Sequence, residues 1–125
     1  MKETELFFSR YPEALPLYEA LKARILTEID DVRIKVQKTQ ITFWNRHVFA
    51  CVSFLRLRKK DDLPPVWLTV TFGLPQRAAS ARIEEAVEPY PGRWTHHVLV
   101  SGEEDIDGEL MGWLRAAAAF SRMKR

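Results

Sequence analysis

The sequence contains one cysteine, Cys51, and no long apolar run. A lone cysteine forms no internal disulfide, and such sparse cysteine usage is typical of a reducing compartment. No stretch approaches the roughly 18 to 20 apolar residues that a transmembrane helix needs. The first residues, MKETELFF, lack the basic start and apolar core of a signal peptide. We therefore expect a cytoplasmic protein that has no membrane partner.

An excess of either charge is also missing. The 19 Lys and Arg residues nearly balance the 17 Asp and Glu residues, which gives a formal net charge of +2. A charge this small does not indicate a polyanionic partner, so a nucleic-acid interface would need a local basic patch. Two aspartates directly follow the strongest candidate for such a patch, so its charges also suit a solvent-exposed loop that serves solubility. That candidate patch is Arg56, Arg58, Lys59 and Lys60.

Motifs for catalysis and cofactor binding are missing as well. The sequence has no phosphate-binding loop, no dinucleotide fingerprint and no paired-carboxylate site. Cys51 lies between Ala50 and Val52 in a β-rich run, where a thiol is more often inert packing than a nucleophile. Pairing of Cys51 with His97 across a sheet is the catalytic alternative. We expect no cofactor and favour a non-enzymatic role.

Metal ligands do not occur at the spacings of known metal sites. His96 and His97 are adjacent in a predicted strand, so their side chains leave on opposite faces, and His47 lies at a distant turn. An acidic cluster near the last helix could hold a hard cation weakly, but acids also suit a first helical turn. We predict no metal site. The acidic cluster consists of Glu103, Glu104, Asp105, Asp107 and Glu109.

Two β-rich runs flank Asn45-Arg46 within residues 41–57 and predict a hairpin. Asparagine tolerates the positive φ that tight hairpin turns require. A strand beginning at Val32 precedes the hairpin, and its apolar positions change from even to odd, which requires a bend or bulge between Lys38 and Gln40. The clearest alternation, from Val66 to Phe72, predicts a further strand after a proline-rich loop.

Two long helices are expected, one on each side of the strands. The first is predicted from Pro16 to Ile29, with apolar residues at steps of three and four. The second begins at a capping box formed by Ser101 and Glu104 and ends near Phe120. Three small residues fall four apart on this helix and favour close approach of another backbone: Gly108, Gly112 and Ala116. Residues 74–94 are expected to form a short helical turn and an irregular crossing, before a last strand over residues 96–100.

Four segments resemble an uncharacterised family of small bacterial domains of unknown function. These segments are VRIKVQKTQITFWNRHVFACVSF, VTFGL, AVEPYPGRWTHHVLVS and ELMGWLRAAAAFS. Versions of that domain also look like the C-terminal module of larger transport- or nuclease-associated proteins. A more remote likeness is to the frataxin-like fold of iron-chaperone-type domains. The resemblance implies a helix, an antiparallel sheet and a second helix, and it supplies no catalytic residue.

We therefore expect residues 1–125 to form a single α+β domain, with an antiparallel sheet of four to five strands and the N- and C-terminal helices packed on one face. The face that the helices leave uncovered mixes aromatic and hydroxyl side chains. It is predicted to form a ligand pocket, with the loop around Tyr90 folded over its edge; a minor core or a homodimer interface are the alternatives. The predicted ligand-binding residues are Lys35, Gln37, Trp44, Ser53, Trp67, Thr69, Arg93, Trp94 and His97.

The function predicted from these observations is a non-enzymatic module that binds a small ligand or a protein, as a monomer or a homodimer. The alternative is a nucleic-acid-binding accessory domain that uses the basic patch defined above. A third possibility is weak binding of iron, which the frataxin-like resemblance implies.

Overall fold

A computed structural model describes residues 2–124 of the protein. Within that range the chain forms three α-helices and a six-stranded antiparallel sheet, with a short 3-10 turn before the second helix, the fourth strand and the third helix. The predicted α+β class is confirmed, and the six strands exceed the predicted four to five by one or two. The elements are α1 (Lys2–Phe7), α2 (Leu15–Glu28), β1 (Arg33–Val36), β2 (Gln40–Trp44), β3 (Val48–Ser53), β4 (Leu68–Leu74), β5 (Ile83–Tyr90), β6 (Arg93–Val100) and α3 (Gly108–Met123).

The strand missing from the sequence prediction is β5. The strands are ordered β1-β2-β3-β4-β6-β5, so β5 forms an edge of the sheet beside β6. The expected helical turn and irregular crossing over residues 74–94 is therefore wrong. An edge strand buries little surface, and β5 is largely exposed, so its sequence carries no clear alternation. The edge position also tolerates Pro89, which lacks a backbone donor.

β1 and β2 form a hairpin rather than one bent strand. The change of apolar phase predicted a break between Lys38 and Gln40, and the chain does break there. The break is a full reversal, in which the Gln37 amide donates to the Gln40 carbonyl at 2.9 Å. After it, Ile34 pairs with Phe43 and Val36 with Ile41 across the two antiparallel strands.

One face of the sheet carries the hydrophobic core. α3 packs against β3 and β4, and its Trp113 ring stacks on Phe72 with centroids 5.4 Å apart. α2 lies beside α3, and its Tyr18 ring lies 6.4 Å from that of Phe43. Both long helices therefore contact the same face of the sheet. The buried strand residues of that face include Ile41, Phe43, Val52, Leu68, Val70, Phe72, Val98 and Val100.

α2 lies within one residue of its predicted bounds, whereas α3 starts later than its capping box predicts. Asp107 is the N-cap of α3, and its Oδ1 accepts from the Leu110 amide at 3.0 Å. The Ser101 hydroxyl and amide instead donate to the carboxylate of Asp105, so the Ser101 capping box is wrong. The acidic segment before α3 contains more than one residue of a type that can cap a helix. Arg82 holds Asp107 in place, since its guanidinium lies 2.8 Å from Asp107 Oδ1.

The turn between β2 and β3 lies where it was predicted, but for a different reason. Asn45 is buried and does not have a positive φ. Its Nδ2 donates to the Ala118 carbonyl at 3.0 Å, and its Oδ1 lies 2.5 Å from Ser121 Oγ. The same hydroxyl accepts from the His47 amide at 3.0 Å. Asparagine therefore ties the hairpin to the last turns of α3.

Candidate functional site

The sheet face opposite the helices carries a row of polar side chains. Cys51 of β3 pairs with Thr71 of β4, Thr71 pairs with His97 of β6, and His97 pairs with Glu85 of β5. Cross-strand partners point to the same side of a sheet, so these side chains share one face, which we call the open face. Ser53, two residues from Cys51, lies on it as well.

A cleft of about 580 Å³ lies over part of the open face. Strand residues form its floor, and aromatic residues near α1 and after β3 form its wall. The turn between β1 and β2 and one arginine form its rim. The lining residues are Cys51, Ser53, Thr71 and His97 in the floor, Phe7, Tyr11, Phe54 and Leu55 in the wall, and Arg10, Lys38, Thr39 and Gln40 at the rim.

The aromatic wall is centred on Phe54. Its ring centroid lies 4.5 Å from that of Tyr11 and 5.5 Å from that of Phe7, and it meets Trp67 edge to face at 5.5 Å. Phe8 is buried against Tyr18 of α2, with ring centroids 5.3 Å apart. This contact fixes the N-terminal segment against the core, so that its other aromatic rings border the cleft.

His97 is one of two titratable groups in the cleft floor, together with Cys51. Its Nδ1 lies 2.8 Å from Thr71 Oγ1, and its Nε2 lies 3.7 Å from a carboxylate oxygen of Glu85. Burial lowers the pKa of His97 and the Glu85 charge opposes that shift, so the imidazole is neutral near pH 7. The carboxylate favours a proton on Nε2, which leaves Nδ1 to accept from the Thr71 hydroxyl. The floor thereby presents a neutral, hydrogen-bonded pair.

Cys51 is a poor nucleophile in this setting. Burial is the main influence on its thiol and raises the pKa of that group. A raised pKa keeps the group as a thiol at pH 7, whereas nucleophilic cysteines need the thiolate. Thr71 also stands between Cys51 and His97, since the three residues lie on successive strands of the sheet. The arrangement therefore gives Cys51 little nucleophilic character.

The structure brings Ser53 and His97 together in the cleft, but it places the other predicted open-face residues outside it. Thr69 is fully buried, and its hydroxyl donates to the Leu55 carbonyl at 2.7 Å. Trp67 is buried behind Phe54. Trp44 lies towards the other end of the sheet, covered by the guanidinium of Arg33 at 3.8 Å from its ring centroid. Thr69 and Trp67 contact residues of the cleft wall without lining the cleft.

The predicted rim residues also lie elsewhere. Lys35 and Gln37 belong to the first strand and its turn, and the neighbouring Lys38 and Gln40 line the rim in their place. Residues 90–94 close the hairpin of β5 and β6, with Gly92 at φ +77°, and do not fold over the open face as expected. Trp94 there pairs with Leu74. Arg93 pairs with Tyr90 at the hairpin end. Neither Arg93 nor Trp94 lines the cleft.

The basic patch lies on the loop that joins β3 to β4. Arg58 is held by Glu84 of β5 through two hydrogen bonds of 2.9 and 2.6 Å, and this contact lowers the pKa of Glu84. The other three cations, Arg56, Lys59 and Lys60, are exposed. A quarter of the patch charge is thus already neutralised within the chain.

The structure also locates the candidate metal ligands. Over residues 2–124, no three His, Cys, Asp or Glu side chains converge in a way that could hold a metal ion. In the acidic cluster, Asp107 caps α3 and Asp105 accepts from Ser101. His96 faces the core, opposite to His97, and its Nε2 accepts from the Ala78 amide at 2.9 Å. None of the helices in the described range has the length and apolarity needed to cross a membrane.

Sequence reasoning missed the residues that turn the open face into a cleft: Phe7, Arg10, Tyr11, Lys38 and Phe54. No local signal identifies them, because α1 is separated by some forty residues of chain from β3, whose end it contacts.

Comparison with known proteins bears on the family alone. Searches of curated proteins and of solved structures found no match. A family model described as a domain of unknown function (DUF5655) matches residues 3–121, which is nearly the whole chain. The match agrees with the resemblance to an uncharacterised domain family. The protein therefore belongs to the DUF5655 family of domains of unknown function.

Proposed function

We infer that the protein is a non-enzymatic module that binds a small molecule in the cleft of the open face. The observation that carries this proposal is the combination of a polar floor, formed by Ser53, Thr71 and His97, with an aromatic wall around Phe54. Ligand sites are commonly apolar concavities of roughly 300 to 1,000 Å³ with a few polar groups that fix orientation, and this cleft is of that size.

The two structural alternatives for the open face fit less well. A minor core would bury its side chains, yet Cys51, Ser53, Thr71 and His97 all remain partly accessible. A homodimer formed through this face would need a matching convex surface on the second copy, because two-fold interfaces are self-complementary. The concave shape of the cleft favours a small ligand over a second copy.

Nucleic acid is the less favoured ligand. The basic patch and the cleft do not share residues, and Glu84 already engages Arg58. Stable binding to phosphates depends on several available cations that release counterions together. The loop would present three of its four cations for such contacts.

The proposal is tested by screening a fragment library against the ¹⁵N-labelled protein by ¹H–¹⁵N correlation spectroscopy. Fragments should shift the amide signals of Cys51, Ser53, Thr71 and His97. In Ser53→Arg these shifts should disappear while the spectrum stays dispersed, since an arginine at this half-buried position fills the cleft. Thr95→Arg is the matched control, because Thr95 of β6 is half-buried like Ser53 of β3 but does not line the cleft.

Two results would overturn the proposal. One is that fragments shift only signals outside the cleft, for example those of the groove between residues 74–78 and α3. The other is that Ser53→Arg leaves the fragment-induced shifts unchanged.

A further inference from the structure

The charged residues that line the cleft are of one sign. Arg10 and Lys38 border it, and no Asp or Glu side chain is among its lining residues. Within residues 2–124 neither cation forms an ion pair, whereas Arg24, Arg58 and Arg82 do. No ion pair within the described residues therefore neutralises the rim, although Glu3 borders a neighbouring groove together with Lys38.

The opposite end of the cleft has a different electrostatic character. His97 in the floor is neutral near pH 7, and the Glu85 carboxylate lies behind it, 3.7 Å from Nε2. A negative group placed beside His97 would be repelled by Glu85. An anionic ligand group is thus favoured at the rim, with Arg10 and Lys38, and disfavoured at the His97 end.

The wall between these ends is aromatic and apolar. Phe54 is packed against Tyr11 and Phe7, which leaves a firm surface that a flat or apolar ligand body can cover. Beneath it, the floor offers the hydroxyls of Ser53 and Thr71 as neutral hydrogen-bonding groups. The cleft thus combines a cationic rim, an apolar wall and a polar floor.

From this arrangement we propose that the ligand is a small amphipathic anion. Its apolar, planar body packs on Phe7, Tyr11 and Phe54, and its carboxylate or phosphate group is held by Arg10 and Lys38. This assignment rests on the proposed function and adds the chemical class of the ligand. Both anionic groups suit the rim, since guanidinium and ammonium donors form charge-assisted hydrogen bonds to either.

Two matched probe pairs test the assignment and separate the two anionic groups. The carboxylate pair is 1-naphthoate and 1-naphthylmethanol; the phosphate pair is adenosine monophosphate and adenosine. In titrations followed by ¹H–¹⁵N spectra, at least one anion should bind about tenfold more tightly than its neutral partner. Its affinity should also fall as salt is raised, because the rim cations are exposed.

The charge-reversed double variant Arg10→Glu/Lys38→Glu should lose this preference while retaining the weaker binding of the neutral partner. The control Lys59→Glu/Lys60→Glu makes the same change in net charge on the loop between β3 and β4, at two exposed residues that do not line the cleft. It should leave the affinity for the anion within about twofold of that of the unmodified protein.

Equal binding of anion and neutral partner, or an unchanged affinity in the double variant, would overturn the anion assignment and leave cleft binding intact. Absence of cleft shifts with all four probes would also overturn it. A different result would overturn the proposed function itself, namely fragment binding that Ser53→Arg does not affect.

Discussion

The hydroxyl of Thr71 lies 2.8 Å from Nδ1 of His97, and the two residues face each other across β4 and β6. The donor, the Thr71 hydroxyl, is neutral, and burial lowers the pKa of the His97 imidazole. His96, which leaves the same strand on the core face, also has a pKa lowered by burial. The strand therefore carries two histidines that fold in the uncharged form.

Stability should fall as the pH drops below the ordinary histidine pKa of 6.5. Below that value the unfolded chain takes up protons that the folded protein resists, so unfolding is favoured as pH falls. Urea unfolding between pH 5 and pH 8 measures the effect, and His96→Gln should reduce its slope. A stability that rises on acidification would contradict the burial of these imidazoles.

Asn45→Gly should destabilise the protein by about 1 to 3 kcal/mol. Glycine suits a tight turn, but it removes the side chain that bonds to the Ala118 carbonyl and contacts Ser121. Chemical denaturation of this variant, of Ser121→Ala and of the double variant gives the coupling energy between the two residues. A tolerated glycine would mean that the turn conformation alone selects residue 45.

Thr69→Arg should destabilise the fold by roughly 4 kcal/mol, whereas Ser53→Arg should cost no more than about 1 kcal/mol. Both residues lie on the open face and pair with each other across β3 and β4, but Thr69 is fully buried and bonded to Leu55. Thermal unfolding of the two variants compares them directly. Equal, severe destabilisation would show that the cleft floor is part of the core.

Gly112→Ala should stabilise the protein by about 0.5 to 1 kcal/mol, because alanine is the better helix former. A Cβ at this position would meet only the Arg115 guanidinium, at an ordinary contact distance of 3.9 Å, and Gly108 has open space around it. The expected close approach of another backbone to the small residues of α3 is therefore wrong for Gly108 and Gly112 within the described part of the chain. Destabilisation in Gly112→Ala would indicate that a second molecule packs there.

Leu110→Ala should cost about 2 to 5 kcal/mol through lost burial and the cavity left behind. Leu110 is a fully buried residue of α3. Leu26→Ala on α2 is the control, since Leu26 is 47% exposed and should change the unfolding free energy by less than about 1 kcal/mol. Similar losses in the two variants would contradict the docking of α3 on the sheet.

The sequence predicts the two faces of the sheet well because side-chain alternation is a local property. The strand pattern predicts that Ser53 and His97 lie on the face away from the helices, and the structure places them there. The cleft is different in kind. Its wall depends on Phe7 and Tyr11 reaching Phe54, a contact between distant parts of the chain that no local pattern encodes.

The remaining errors share a physical cause, which is weak or competing local signals. β5 lies at the sheet edge, so burial does not impose alternation on its residues. For the start of α3, Ser101 and Asp107 are both suitable caps. Asp107 is the observed cap, and its contact with Arg82 is a tertiary interaction that a local sequence pattern does not show. The sequence pattern predicts the turn at Asn45 correctly, but it does not show that the Asn45 side chain bonds to α3.

The wall of the cleft is formed in part by α1, a helix of only six residues. Helices this short are marginal on their own, so α1 depends on the contacts of Phe7 and Phe8 with the rest of the protein. Its free energy of local opening must therefore be lower than that of the central strands beneath it. Amide hydrogen exchange should be fast in α1 and slow in β3 and β4, and a ligand that covers the wall should slow the exchange of α1 first.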